Sequence, residues 1–419
     1  MPKKQPITRP GAAYQYNYPT RIRFGAGIRN ELPKALQAKG IRRAFVVTDK
    51  GFARLPAFQS YMEELKRDGL EVTVFSGIWG NPVKSQVDEG VRAAKAANCQ
   101  ALVAIGGGAA LDCGKAIALM IHHPGSLFDY EDGRPGAPPV DKEIPFIVTI
   151  PTTAGTGSEV GRSSVVSDDQ THRKVIIFDP RLLPQLVLVD PELTLGLPAN
   201  MTAATGMDAL THLIESYLAQ GFHPMADGIA LEGMKMVAKW LPEAVKYAKT
   251  KPGQATPEHL EARGMMLNAA LMGAVSFQKG LGVTHSCAHA LSTVCDMHHG
   301  TANGIMLDAC MEFNAKAVPD RFKEMAHALR LPGGSPGAFI AWTKSFKKKL
   351  GIPMTLSEAG VTKEHLPKLL DIAEKDACHP SNPVAVTRKD FEKIFLKALG
   401  KGGKKASGKK SPAKKKPKK

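Results

Sequence analysis

The stretch Ala101-Leu-Val-Ala-Ile-Gly-Gly-Gly-Ala-Ala-Leu-Asp-Cys-Gly-Lys115 decides the fold. Five apolar residues of strand character run into Gly106, Gly107 and Gly108 and pass directly into a helical pattern. A backbone without Cβ atoms can close on a phosphate, and a helix N-terminus offers free N–H groups at the positive end of its dipole. A tight strand-to-helix turn also favours glycine. Three in succession exceed what such a turn requires, so phosphate binding is the stronger reading. The spacing is not G-x-G-x-x-G, so the usual Rossmann fingerprint does not apply.

Working outward, short apolar runs alternate with helical patterns over the first 195 residues. Strands are expected at Ala44–Thr48, Val72–Ser76, Ala101–Ile105 and Phe146–Ile150, with Val175–Phe178 and Val187–Val189 following. Helical spacing falls between them, as at Val83–Ala97 and Leu111–Met120. This alternation predicts an α/β domain with a parallel sheet covered on both faces. From Met201 onward β-branched runs give way to long amphipathic patterns, and residues 202–219, 226–249, 257–278 and 285–294 read as helices. The chain therefore divides into an α/β dinucleotide-binding domain over 1–196, an all-α metal-binding domain over 197–400, and a lysine-rich tail over 401–419.

Two further features belong to the nucleotide half. Ile150-Pro-Thr-Thr-Ala-Gly-Thr-Gly-Ser-Glu-Val160 follows a strand with four hydroxyl side chains and two glycines in seven positions, a surface able to line a dinucleotide. Its Thr152, Thr153 and Thr156 join the three glycines and Asp112 as candidate cofactor contacts. Asp49 ends the first predicted strand. An acid at that edge can accept from a ribose 2′-hydroxyl and repels a 2′-phosphate, which favours NAD over NADP; an ordinary turn aspartate is the competing reading.

The second half carries titratable side chains at helical spacing. Asp208 and His212 are four residues apart and share a helix face, as do His285 and His289, and His298-His299-Gly300 follows shortly after. Neutral imidazoles and one carboxylate suit Fe²⁺ or Zn²⁺, with room for a substrate oxygen. A lone helical histidine is usually structural, but two such pairs in one domain favour a metal. Cys287 and Cys295 flank the cluster, although a small buried hydrophobe is the commoner role of a free cysteine.

These residues identify the chain as similar to the iron-containing (group III) alcohol dehydrogenases, whose architecture is shared with dehydroquinate synthase. The likeness runs from Asn17 to Pro383. It rests on Asn81-Pro82, the GGG…D..K loop, PTTAGTGSEV, Val189-Asp-Pro-Glu-Leu-Thr-Leu195, ATGMDALTH and the H…H…HG cluster. The resemblance implies NAD-linked alcohol dehydrogenase or aldehyde reductase activity in a cleft between the halves. It assigns the metal to Asp208, His212, His285 and His299. It assigns cofactor contacts to Asp49, Asn81, Gly107, Gly108, Thr152, Thr153 and Lys174, and a proton-relay role to His289. It also implies a homodimer or larger homo-oligomer. Departures are Ala109 where the family has Ser, His289-Ala-Leu-Ser292 for His-Pro-Leu-Gly, and Met297-His-His-Gly300 for Thr-Pro-His-Gly. His298 thus adjoins a ligand position, but Gly300 and the fourteen-residue step from His285 favour His299. Lys279 is read as a solvated lysine rather than a substrate contact.

Bulk properties agree with a soluble cytoplasmic enzyme. Hydrophobic residues are 43% and charged residues 23% of the chain, no apolar run reaches membrane-spanning length, and the N-terminus lacks a signal-peptide core. Six scattered cysteines without a C-x-x-C pair suit a reducing compartment. Of the net charge of +17, residues 401–419 supply ten through lysines with no acid, leaving +7. That tail cannot bury a core; it is expected to be disordered and to bind polyanions weakly and in a salt-sensitive way. A nucleic-acid protein driven by this tail, or a lyase on the same fold, are the rival readings.

Overall fold

The computed structural model describes residues 18, 20–249 and 255–400; the lysine-rich tail expected to be disordered lies outside them. In the first half, β1 (Arg21–Phe24), β2 (Arg43–Asp49), β3 (Glu71–Ile78), β4 (Ala101–Gly106), β5 (Phe146–Pro151), β6 (Ser163–Ser167), β7 (Lys174–Phe178) and β8 (Leu186–Val189) are interleaved with α1 (Leu32–Gln37), α2 (Pro56–Arg67), α3 (Lys84–Ala96) and α4 (Gly108–Met120). Six strands form one parallel sheet in the order β1-β8-β5-β4-β2-β3.

Both faces of the central strands are buried, as their unbroken apolar sequences require. Phe45, Val47, Leu102, Ala104 and Ile147 pack on one side with α3 and α4, while Val46, Val103, Ile105, Val148 and Ile150 pack on the other with α1 and α2. All six residues of β4 are buried. The chain runs from β2 to β3 on one side and then back to β4 on the other. A crevice therefore opens at the carboxyl ends of β2 and β4, the place where open α/β sheets take their ligands.

Two features differ from the sequence expectation. Val175–Phe178 does not join the parallel sheet; β7 pairs antiparallel with β6 in a separate hairpin. This hairpin is tied to α4, since Asp112 accepts from the Val165 N–H (3.2 Å) and Ser164 Oγ donates to the Asp112 carbonyl (2.7 Å). The second difference is β1, an unforeseen edge strand paired with β8.

Beyond Val189 the described chain is helical: α5 (Ala199–Leu218), α6 (Pro224–Tyr247), α7 (Pro257–Ser276), α8 (Val283–Cys295), α9 (His299–Asn314), α10 (Pro319–Ala328), α11 (Pro336–Lys349), α12 (Leu366–Ala373) and α13 (Arg388–Leu399). One apolar core built on Met207, Leu210, Leu213, Met234, Met266, Leu291 and Met306 joins α5 through α9. α5 is central. Sixteen of its twenty residues are buried, so its polar side chains at 208, 212 and 215 are enclosed with the core.

Candidate metal centre and cofactor cleft

The GGG stretch turns β4 into α4 at the sheet crevice, with Gly107 as the helix N-cap and Gly108 as its first residue. Glycine is required there by close approach, because a β-carbon at Gly108 would lie 2.7 Å from the Thr156 side chain. The PTTAGTGSE loop thus lies directly against the phosphate-type turn, and Thr152 N–H donates to the Gly106 carbonyl (2.9 Å). Asp49, at the end of β2, borders Gly106. Its Oδ1 accepts from Gly51 N (2.9 Å) and Phe52 N (2.8 Å), so it also serves its own turn.

Asp112 is occupied within the protein: it accepts from Ser158 Oγ (2.5 Å) and pairs with the buried Lys115 (3.2 Å). Lys115 also donates to Ser158 and to the Ser163 carbonyl. These two residues hold the loop and the hairpin onto α4. Asn81 and Lys174 line a cavity of about 770 Å³ between the two halves, together with Trp79, Val294 and Val361. Burial lowers the Lys174 pKa against the opposing pull of Asp376, Asp208 and Asp112. The same loop reaches the helical half, with Gly155 against Thr205 and Gly157 against Ala270.

Four side chains of the second half gather about Asp208: the ligand atoms of Asp208, His212 and His285 all lie within 4.8 Å of one another, and His299 reaches the group at Asp208. The Nε2 atoms of His212, His285 and His299 lie 4.0, 3.8 and 3.4 Å from Asp208 Oδ1. Ligands about 2.1 Å from a tetrahedral cation are separated by about 3.4 Å, so the donor set fits a divalent metal after small adjustments. His298, in contrast, is exposed as the N-cap of α9. His299 is pressed inward because α9 begins hard against α5, where a β-carbon at Gly300 would meet the Ala204 carbonyl oxygen at 2.1 Å.

The charges of the cluster reflect this enclosure. Burial alone would raise the Asp208 carboxyl, but His212, His299 and His285 outweigh it and hold the group far below the usual carboxylate range. Burial pushes His212 down to about 4 and also depresses His299. Burial opposes protonation of His285 as well, yet hydrogen bonds to Asp208 and Glu215 raise it to about 9. A carboxylate among imidazoles, enclosed by apolar helices, has its charge balanced most simply by a cation.

Three residues of this site escaped the sequence reading. Glu215 bonds His285 Nδ1 at 2.7 Å. Asn303 donates to Asp208 Oδ1 (2.7 Å) and lies 3.4 and 3.2 Å from the Nε2 atoms of His285 and His299. Asp376 bonds His289 Nδ1 at 2.7 Å. Helical spacing was the available signal for two of them, since Glu215 is three residues past His212 and Asn303 four past His299. For Asp376 no local signal exists. His289 stacks against His299, with ring centroids 5.2 Å apart. His289, Asp376 and Cys378 also lie close enough to suggest a second cation site. The Asp376 oxygens, however, already accept from His289, Ser286 Oγ (2.8 Å) and Cys378 N (2.9 Å), so this group is satisfied without a metal. Lys279 is a correction: it is buried and paired with Asp227 (2.5 Å), not solvated.

Comparison with known proteins matches both halves. The model for "Iron-containing alcohol dehydrogenase" covers residues 19–191, and that for "Fe-containing alcohol dehydrogenase family, C-terminal" covers 202–399. The chain is 36% identical over 391 residues to 4-hydroxybutyrate dehydrogenase from Cupriavidus necator, covering 91% of this chain and 99% of that protein. It is 36% identical over 383 residues to the NAD-dependent methanol dehydrogenase of Bacillus methanolicus, covering 90% and 97%. The crystal structure of a 1,3-propanediol oxidoreductase superposes with a TM-score of 0.85 at 32% identity, covering 92% of this chain and all of that one.

Proposed function

Because this chain belongs to the iron-containing alcohol dehydrogenase family, we propose that it transfers hydride between the carbinol carbon of a small alcohol and NAD at the cleft just described. Asp208, His212, His285 and His299 are the metal ligands in this reading. Residues 1–196 form the nucleotide half and 197–400 the metal half. The observation that carries it is the approach of three imidazole Nε2 atoms to within 4.0 Å of one carboxylate oxygen.

When bound, NAD supplies the hydride acceptor and a divalent cation, Fe²⁺ by family and Zn²⁺ as the alternative this donor set accepts, supplies a Lewis acid that eases loss of the hydroxyl proton. The protein's own contribution is position and proton handling. The backbone at Gly106, Gly107 and Gly108 and the hydroxyls of Thr152, Thr153 and Thr156 hold the dinucleotide against the N-terminus of α4. Asn81 and Lys174 bind it from the same half, where they line the cleft, and Asp49 favours an unphosphorylated ribose. Asp376 accepts from Nδ1 of His289, so His289 Nε2 is left to take the proton on its way out.

The family resemblance and six free cysteines support a homodimer or larger assembly in the cytoplasm. Among the described residues no helix is long and apolar enough to cross a membrane. Residues 401–419 would add weak polyanion binding, lost at moderate salt. The deciding experiment combines elemental analysis of purified protein with a screen for NADH formation from short alcohols and diols. One divalent ion per chain together with NADH production is expected. A metal-free protein with full activity overturns the reading.

A further inference from the structure

The N-cap of helix α8 is Gly282, which has no side chain to cap it, so the first N–H groups of the helix need partners from elsewhere. Two distant side chains provide them. Asn382 Oδ1 accepts from Val283 N (3.2 Å), and the buried Glu215 takes the rest. Glu215 Oε2 accepts from Gly282 N (2.9 Å) and His285 N (3.2 Å), and Oε1 accepts from Thr284 N (2.6 Å). A β-carbon at Gly282 would come within 2.8 Å of Asn382 and 2.9 Å of Glu215, so glycine is what admits both caps.

Glu215 has one further contact that capping does not require: Oε2 lies 2.7 Å from His285 Nδ1. A carboxylate has no proton to give, so the Nδ1 facing it must carry the hydrogen. The proton of neutral His285 is then fixed at Nδ1 and its lone pair at Nε2, the atom that approaches Asp208. Neither His212 nor His299 has a carboxylate at Nδ1 among the described residues. Glu215 also shares α5 with Asp208 and His212, so one helix carries two candidate ligands and the anchor of a third.

We infer that Glu215 is a positioning residue that imposes the Nδ1–H tautomer on His285 and so determines how tightly the site holds its cation. The inference rests on the ligand assignment proposed above and adds the residue that tunes it. Glutamine is the discriminating substitution. It matches glutamate in shape but is neutral and has one acceptor atom instead of two. With its oxygen at the Oε2 position, facing Gly282 N, His285 N and Nδ1, the bond that holds the Nδ1–H tautomer loses its charge, and with the amide turned over N–H₂ opposes Nδ1–H.

The test is titration of metal-free protein with Co²⁺, followed by its visible absorption, in wild type, Glu215→Gln, Glu215→Asp and His285→Ala, with NAD binding measured alongside. Glu215→Gln is expected to weaken Co²⁺ binding by about 10- to 100-fold with NAD affinity unchanged. Glu215→Asp, which keeps an acceptor-only group, is expected to recover part of that loss. Wild-type affinity in Glu215→Gln, or equal losses in the two variants, overturns the inference and leaves Glu215 as a helix cap. If His285→Ala binds Co²⁺ like wild type, the ligand assignment itself fails. If His285→Ala alone loses Co²⁺, only the tautomer inference fails. Should the variants not fold, the Co²⁺-loaded wild type still decides by proton NMR. A shifted Nδ1–H resonance, assigned to His285 by its proximity to the backbone N–H of the same residue, is expected to outlast transfer to D₂O longer than those of His212 and His299. The Nδ1 atoms of those two face no carboxylate among the described residues, and absence of the long-lived His285 resonance overturns the inference.

Discussion

Asp376 Oδ2 lies 2.7 Å from His289 Nδ1, a contact made across 87 residues of chain. It occupies Nδ1 and leaves Nε2 as the nitrogen of His289 that can exchange a proton. Asp376→Asn is therefore expected to lower kcat by roughly 10²-fold, the lower end of general acid–base contributions, with metal content unchanged. His289→Ala should do at least as much. Loss of metal from His289→Ala, measured by elemental analysis, would mean that ligand and relay have been exchanged.

His285→Ala is expected to abolish metal retention and turnover while NAD binding persists. The prediction follows from the separation of the two sites: the residue lies in α8, whereas the glycine turn is in the sheet half. Fluorescence titration with NADH and metal analysis of the same sample check both halves of it. Undiminished turnover in the metal-free variant refutes it.

Gly300→Ala tests the seating of His299. Its added methyl would meet the Ala204 carbonyl oxygen at 2.1 Å, so α9 must move away from α5. Overpacking of this kind costs roughly 1–3 kcal/mol. Denaturant unfolding should show that loss, accompanied by weaker metal binding.

Glu159 gives a pH dependence. Burial raises its pKa to about 7, despite the lowering effect of its backbone hydrogen bond and of Lys115. One carboxylate oxygen is buried with no partner among the described residues. Below its unfolded pKa, near 4.5, the group is neutral in both states and its folded form carries no penalty. Between that value and 7 the folded state binds more protons than the unfolded one. Stability is therefore lost as pH rises through this window, by roughly 3 kcal/mol in total. Urea unfolding at pH 5 and pH 7.5 should show wild type losing more than Glu159→Gln across the interval. Equal losses would contradict the assignment.

Cofactor choice should follow Asp49. The wild type is expected to prefer NAD, and Asp49→Asn to narrow the NAD-to-NADP ratio of kcat/KM by roughly tenfold, because a negative charge near the 2′-position is removed.

The parts of this molecule that could be read in its sequence are those whose partners lie within one turn or one strand. Asp208 with His212 and His285 with His289 share helix faces by spacing alone, and the glycine run marks its own turn. β1 was invisible because Arg21-Ile-Arg-Phe24 lies at an edge with three residues exposed, so no inward alternation is imposed on it. β7 was recognised as a strand but not as a hairpin, since pairing direction depends on residues far away. Helix α8 was expected to begin at 285 rather than 283, because its caps come from Glu215 and Asn382 and its N-cap residue, Gly282, has no side chain. Asp376 could not be found for the same reason: its role exists only once α8 and the segment after α12 are packed together.

All four residues of the histidine–carboxylate cluster follow residue 199, and all the candidate nucleotide contacts precede residue 175. Hinging between the halves would therefore pull no bond at the cation. The ion can remain a permanent resident through many cycles while the dinucleotide comes and goes with each one. Starvation for metal and starvation for coenzyme would then be separate failures, the first slow to reverse and the second immediate.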